Sequence, residues 1–161
     1  MRTLLKNFTL AAAGAALLLP IFASADSPSA SIRKVKYTHL SFDKRLVTED
    51  PMIGFEHRYL LHGAIESDEY YRRAGKYYTI FWRAKDRSPN AVVRLEYLQA
   101  NTGETVHVKE MVVEKVRRHN TTDVNVIGDD YIENGDVIAW KASIVRNGEV
   151  ISSTKSFLWK D

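Results

Sequence analysis

From residue 32 onward the chain is organised as short runs of alternating apolar and polar residues, broken by Gly, Asn and Asp. Successive side chains of an extended strand point to opposite faces, so such alternation marks strands with one buried face. The clearest pair flanks Asn147-Gly148, with Asp136 to Arg146 on one side and Glu149 to Trp159 on the other. Asn-Gly adopts the positive φ values of a type I′ turn, whose twist matches the strands that it joins. A two-residue loop then predicts the pairs Val145–Val150, Ile144–Ile151, Trp140–Lys155 and Ile138–Phe157. The expected core face carries Ile138, Trp140, Ala142, Ile144, Ile151 and Phe157, with Trp159 clamped beside it. Lys155 intrudes on that face, which predicts an edge strand, because inward lysines discourage edge-to-edge pairing.

The remaining strands follow from the same period. Ala91 to Ala100 directs Val93, Leu95 and Tyr97 one way and Arg94 and Glu96 the other. Asn101-Thr102-Gly103 turns it into Glu104 to Val116, where Val106 and Val108 share one parity and Met111 and Val113 the opposite one. An extra residue restores the alternation, so a β-bulge is expected at Lys109–Glu110. Tyr77 to Lys85 is apolar on both faces (Ile80 and Trp82 against Tyr77 and Phe81), as in a central strand. Phe55 to Ile65 alternates through Phe55, Tyr59, Leu61 and Ile65 and is predicted as a further strand. Ile32 to His39 supplies a first strand and Thr122 to Ile127 a short one. No window of helical length shows an apolar stripe. About seven or eight short strands separated by turn residues predict an all-β fold, a two-sheet antiparallel sandwich.

Trp82 on a central strand, the series of short antiparallel strands and the C-terminal hairpin resemble the immunoglobulin and fibronectin type III architecture. The paired inter-sheet cysteines are missing, since the chain has none. Tyr131 stands upstream of the place where a tyrosine corner would lie. The resemblance implies an architecture for residues 32–161 and leaves the activity open.

The N-terminus changes the charge picture. Arg2 and Lys6 precede an apolar run from Leu10 to Leu19, Pro20 breaks it, and Ala23-Ser24-Ala25 offers small residues at a cleavage position. This is the pattern of a signal peptide over residues 1–25, with residues 26–31 as a flexible leader. The apolar run is too short to span a bilayer, which needs about 20 residues. Removing Arg2 and Lys6 leaves 21 basic residues against 20 acidic, and the net charge falls from +3 to +1. A nucleic-acid partner would call for a strong basic excess. With no cysteine, thiolate metal sites and disulfides are excluded. An exported domain that stands without disulfides points to a periplasmic or extracellular bacterial protein.

The chemistry-bearing residues are sparse. His57 and His62 fall five apart in a predicted strand and so on opposite faces, and His39, His107 and His119 have no partner at ligand spacing. Asp129, Asp130, Glu133 and Asp136 cluster in a predicted loop, residues 128–136, the one place with enough oxygens for calcium. The same acids are the only candidates for a glycan hydrolase pair. No nucleophile elbow or glycine-rich phosphate loop is present. The most distinctive polar segment is 67–78, expected as a loop carrying Tyr70, Tyr71, Arg72, Arg73, Lys76 and Tyr77. Tyrosine supplies contact area with a polar tip, and arginine adds forked donors for anions. Arg117, Arg118 and His119 are expected to extend that surface. The sequence therefore predicts an exported, non-enzymatic binding module without a cofactor. Its partner is a protein or an anionic or sugar-rich polymer, and segment 67–78 is the contact surface. The alternatives are a cell-envelope subunit assembling through sheet edges and a glycan hydrolase using the 128–136 acids.

Overall fold

A computed structural model describes residues 29–41, 48–86 and 90–160. The signal peptide and residues 26–28 of the leader lie outside the described residues. Seven strands are described: β1 (Ala30–Leu40), β2 (Gly75–Ala84), β3 (Ala91–Gln99), β4 (Val106–Val113), β5 (His119–Ile127), β6 (Val137–Arg146) and β7 (Glu149–Lys155). Three short helices join them: α1 (Pro51–Leu60), α2 (Ser67–Arg73) and α3 (Asp129–Asn134). The last two leader residues, Ala30 and Ser31, already belong to β1.

The strands form two antiparallel sheets, ordered β1-β2-β5 and β4-β3-β6-β7. This is the expected sandwich, immunoglobulin-like and fibronectin type III-like in architecture. In the constant-type immunoglobulin arrangement the fourth strand joins the sheet of the first, second and fifth. Here β4 pairs with β3 instead.

Alternation explains the interior. Tyr78, Ile80 and Trp82 of β2 face Val93, Leu95 and Tyr97 of β3, with Val124 and Val126 of β5 and Ile144 of β6, and all are essentially inaccessible. Each such side chain contributes roughly 1.5–3 kcal/mol by leaving water. Trp82 lies on the central strand of its sheet and donates its indole N–H to Thr122 Oγ1 at 3.1 Å.

Four expectations need correction. Phe55–Ile65 is not a strand: α1 covers Pro51–Leu60 and ends in a turn. Asp50 accepts the Met52 N–H at 2.8 Å and Pro51 stands in the first turn, a strong helix start. There is no bulge at Lys109–Glu110, because β3 and β4 pair without a break from Ala91↔Val113 to Leu98↔Val106. That register places His107 and Lys109 on the parity of inward Tyr97 and Leu95, and leaves Val106 and Val108 exposed. In the C-terminal hairpin Val145 does pair with Val150, but Ile151 bulges, so Ile144 meets Ser152 and Lys141 meets Lys155. A second irregularity against β3 leaves Ile138 unpaired and exposed. Finally, β7 ends at Lys155, so Phe157 lies outside the strands and fully in solvent, and Trp159 is only half-buried. β7 is an edge strand as expected, although Lys155 does not face the core.

Candidate functional site

Segment 67–78 is a helix leading directly into a strand. Glu69 Oε2 accepts the backbone N–H groups of Ile65 and Glu66 at 2.6 and 3.2 Å, which closes the start of α2. Those two bonds hold the Glu69 carboxyl below its ordinary pKa. At the other end Gly75 begins β2 with φ of 142°, where an added Cβ would lie 2.1 Å from Val126 O. Only glycine lets the helix run so closely into the sheet.

This geometry divides the six Tyr/Arg/Lys residues. Arg73 Nη1 donates to the carbonyls of His62 (2.7 Å) and Leu60 (3.2 Å), tying α2 to the end of α1. Tyr77 donates its hydroxyl to Arg73 O at 2.6 Å, and partial burial raises its pKa against the opposing pull of Arg73. Lys76 Nζ lies 2.9 Å from Asp136, donates to Val137 O at 2.7 Å and stands 5.7 Å from the Tyr37 ring centre. Tyr70 and Arg72 are exposed and Tyr71 is half-buried. Arg117, Arg118 and His119 do not extend this surface. Gly75 pairs with Ile127 and Arg83 with His119, so the two groups sit at opposite ends of β2, about 26 Å apart.

The acidic segment contains α3 rather than a loop. Asp130 Oδ2 lies 2.7 Å from Lys109 Nζ and accepts from the Tyr97 hydroxyl at 3.2 Å, and Asn134 donates to Oδ1 at 3.3 Å. Burial alone would raise the Asp130 pKa, but Lys109, Tyr97 and Asn134 outweigh it and hold the carboxyl below its ordinary value. Burial, then Asp130, push the Tyr97 hydroxyl well above its own. Asp136 is matched to Lys76, whereas Asp129 and Glu133 point to solvent. Among the described residues no three His, Asp or Glu side chains are grouped so as to hold a metal ion. His57 lies in α1 and His62 in the turn after it, His39 shares a 2.6 Å hydrogen bond with the Tyr131 hydroxyl, and His107 stacks on Tyr97.

Two adjoining concave surfaces lie elsewhere, where α1 straddles the outer face of sheet β1-β2-β5. Register places two cross-strand rows there, Lys36–Thr79–Asp123 and Thr38–Tyr77–Asn125. α1 is fastened by Lys36 Nζ to Glu56 Oε2 at 2.8 Å. Burial opposes ionisation of Glu56, but bonds from Lys36 and Thr38 prevail and its pKa falls. A cleft opens on each side of this ion pair. The larger, about 450 Å³, is lined by Asp50, Met52, Ile53, Phe55 and Tyr59. The smaller, about 260 Å³, lies between Tyr59 and Leu60 and the two sheet rows. None of the ten residues of α1 is buried: Met52 is 72% exposed, Phe55 59% and Tyr59 72%. The Phe55 and Tyr59 rings stack with centroids 6.5 Å apart.

No protein-family model, curated protein or solved structure matches this chain. Its site is therefore read from its own geometry. Of the candidate site residues named from the sequence, only Tyr77 lines the smaller cleft. Asp50-Pro51 was the available signal for α1, and the outward residues of β2 and β5 carried none beyond their parity.

Proposed function

We propose that the protein is an exported, non-enzymatic binding module whose contact surface is the α1 saddle and its two clefts. The observation that supports this is the helix with no buried residue. A helix this short is marginal in isolation, and most helical stability in proteins comes from burying an apolar face. α1 buries none, and instead presents Met52, Ile53, Phe55 and Tyr59 beside a cleft. Contiguous exposed apolar surface of this kind marks interaction sites. Segment 67–78 supports the saddle through Arg73 and Tyr77 instead of forming the main contact.

The test is a photo-crosslinking residue placed at Phe55, with a control at Glu110 on the opposite sheet. In cells of the source organism a discrete adduct is expected from position 55 alone. Equal labelling from both positions, or none from position 55, refutes the reading. Export is tested by sequencing the N-terminus of the mature protein, expected to begin at Asp26.

A second reading, assembly into a larger structure, has its own support on the other sheet. Val112, Val92, Val145 and Val150 are directly paired across β4, β3, β6 and β7, and Val112 and Val150 are 65% and 55% exposed. Sedimentation that depends on concentration, and that Val112→Asp abolishes, would favour it.

A further inference from the structure

We infer that the smaller cleft is a saccharide subsite, taking one ring of a neutral, hydroxyl-rich glycan; this rests on the α1 saddle being the contact surface. The cleft is floored by polar side chains from three strands and flanked at its lip by an aromatic one, which match the hydroxyl-bearing edge and the C–H face of a sugar ring. Along the floor, Thr79 donates to one carboxylate oxygen of Asp123 at 2.8 Å. The other oxygen of Asp123 and the side-chain amide of Asn125 have no hydrogen-bond partner among the described residues. A carboxylate accepts and an amide both donates and accepts, so the pair suits adjacent hydroxyl groups, each of which is donor and acceptor. Thr38 and Thr79 keep acceptor capacity of their own. At the lip, Tyr59 is 72% exposed and its ring is backed by Phe55, a platform for the C–H face of a pyranose.

Charge selects among ligands. Lys36 and Glu56 neutralise one another at 2.8 Å, which leaves Asp123 as the uncompensated charge of the cleft. Its negative sign disfavours sulfated, phosphorylated or uronic polymers and nucleic acid. The cleft lies on the face of the sheet, and a peptide added as a strand would pair at the outer edge of β1 or β5 instead.

The experiment is affinity electrophoresis of the mature protein in gels containing a neutral glucan, xylan or mannan, with a sulfated polysaccharide as control. Retardation by at least one neutral polymer and none by the sulfated one is expected. Asp123→Ala and Asn125→Ala should each weaken retention about tenfold, the loss of roughly one hydrogen bond to a polar ligand. Both positions face solvent across the sheet, and an unchanged melting temperature confirms that the variants fold. Absence of retardation by every neutral polymer, or retention unaltered in both variants, overturns the inference. If the crosslink at Phe55 persists while no saccharide binds, the saddle remains a contact surface and only its sugar specificity falls. If neither appears, both fall.

Discussion

Arg146 is enclosed at the end of β6, 7% exposed, with Nη1 bonded to Asp86. Its Nε and Nη2 are buried without a hydrogen-bond partner among the described residues. A buried guanidinium with two open donors is a net cost, and apolar replacements of similar volume are often stabilising. Arg146→Met is therefore expected to hold or raise stability, by about 1–3 kcal/mol in urea unfolding; a large loss would show that the Asp86 contact dominates. Asp130 makes the opposite case. Its folded pKa lies below the unfolded one, so the folded state binds fewer protons in acid. Its stabilisation is complete above the ordinary carboxylate range and is lost as pH falls through the depressed value. Asp130→Asn should thus flatten the acid limb of stability below about pH 4, measured as urea midpoint against pH. An unaltered limb would mean that the Lys109 pairing carries no net weight. Neither feature was legible in the sequence: Lys109 read as part of a bulge and Arg146 as the end of a strand, and their partners lie 21 and 60 residues away.

At the level of elements, α1 shows where pattern reading fails. Phe55 and Tyr59 are four residues apart, which places them on one face of a strand and equally on one face of a helix. What distinguishes the two is the start signal, Asp50 capping Met52 behind Pro51. Asp50→Ala should cost α1 about 1 kcal/mol locally. Because α1 buries nothing in the core, amide exchange within 51–60 should accelerate while the global unfolding midpoint stays put. A fall in the midpoint would show that α1 is integral to the sandwich. β4 misled in another way. Val106, Val108 and Val112 lie on the solvent face and His107 and Lys109 on the inner one, a pattern opposite to simple burial. It is tolerated because α3 brings Asp130 to Lys109 and Tyr97 stacks with His107. By contrast β3 was readable almost to the residue, because its buried parity is clean, and β2 and β5 were placed but begin two and three residues earlier than the pattern indicated.

For the whole molecule, one shared interior couples both sheets. Trp82 fills it from the central strand of the smaller sheet, against residues of the larger one. Trp82→Ala is expected to lower stability by about 3–5 kcal/mol. Near-ultraviolet and far-ultraviolet dichroism should still lose signal in one coincident transition, and separate transitions would mean that the sheets unfold independently. The sandwich also sets distances that no local pattern contains: it puts the Arg117–His119 corner and α2 at opposite ends, and lays α1 over rows drawn from β1, β2 and β5. For β2, β3 and β5 the residues themselves determine that a strand forms and where its apolar side chains fall, because alternation is a property of a single extended backbone. The two bulges of β6 and β7, the covering of an inward lysine and the joining of Asp123, Asn125 and Tyr59 around one cleft were decided only by tertiary packing. Register and proximity depend on partner strands brought from far along the chain, whose positions no local stretch of sequence encodes.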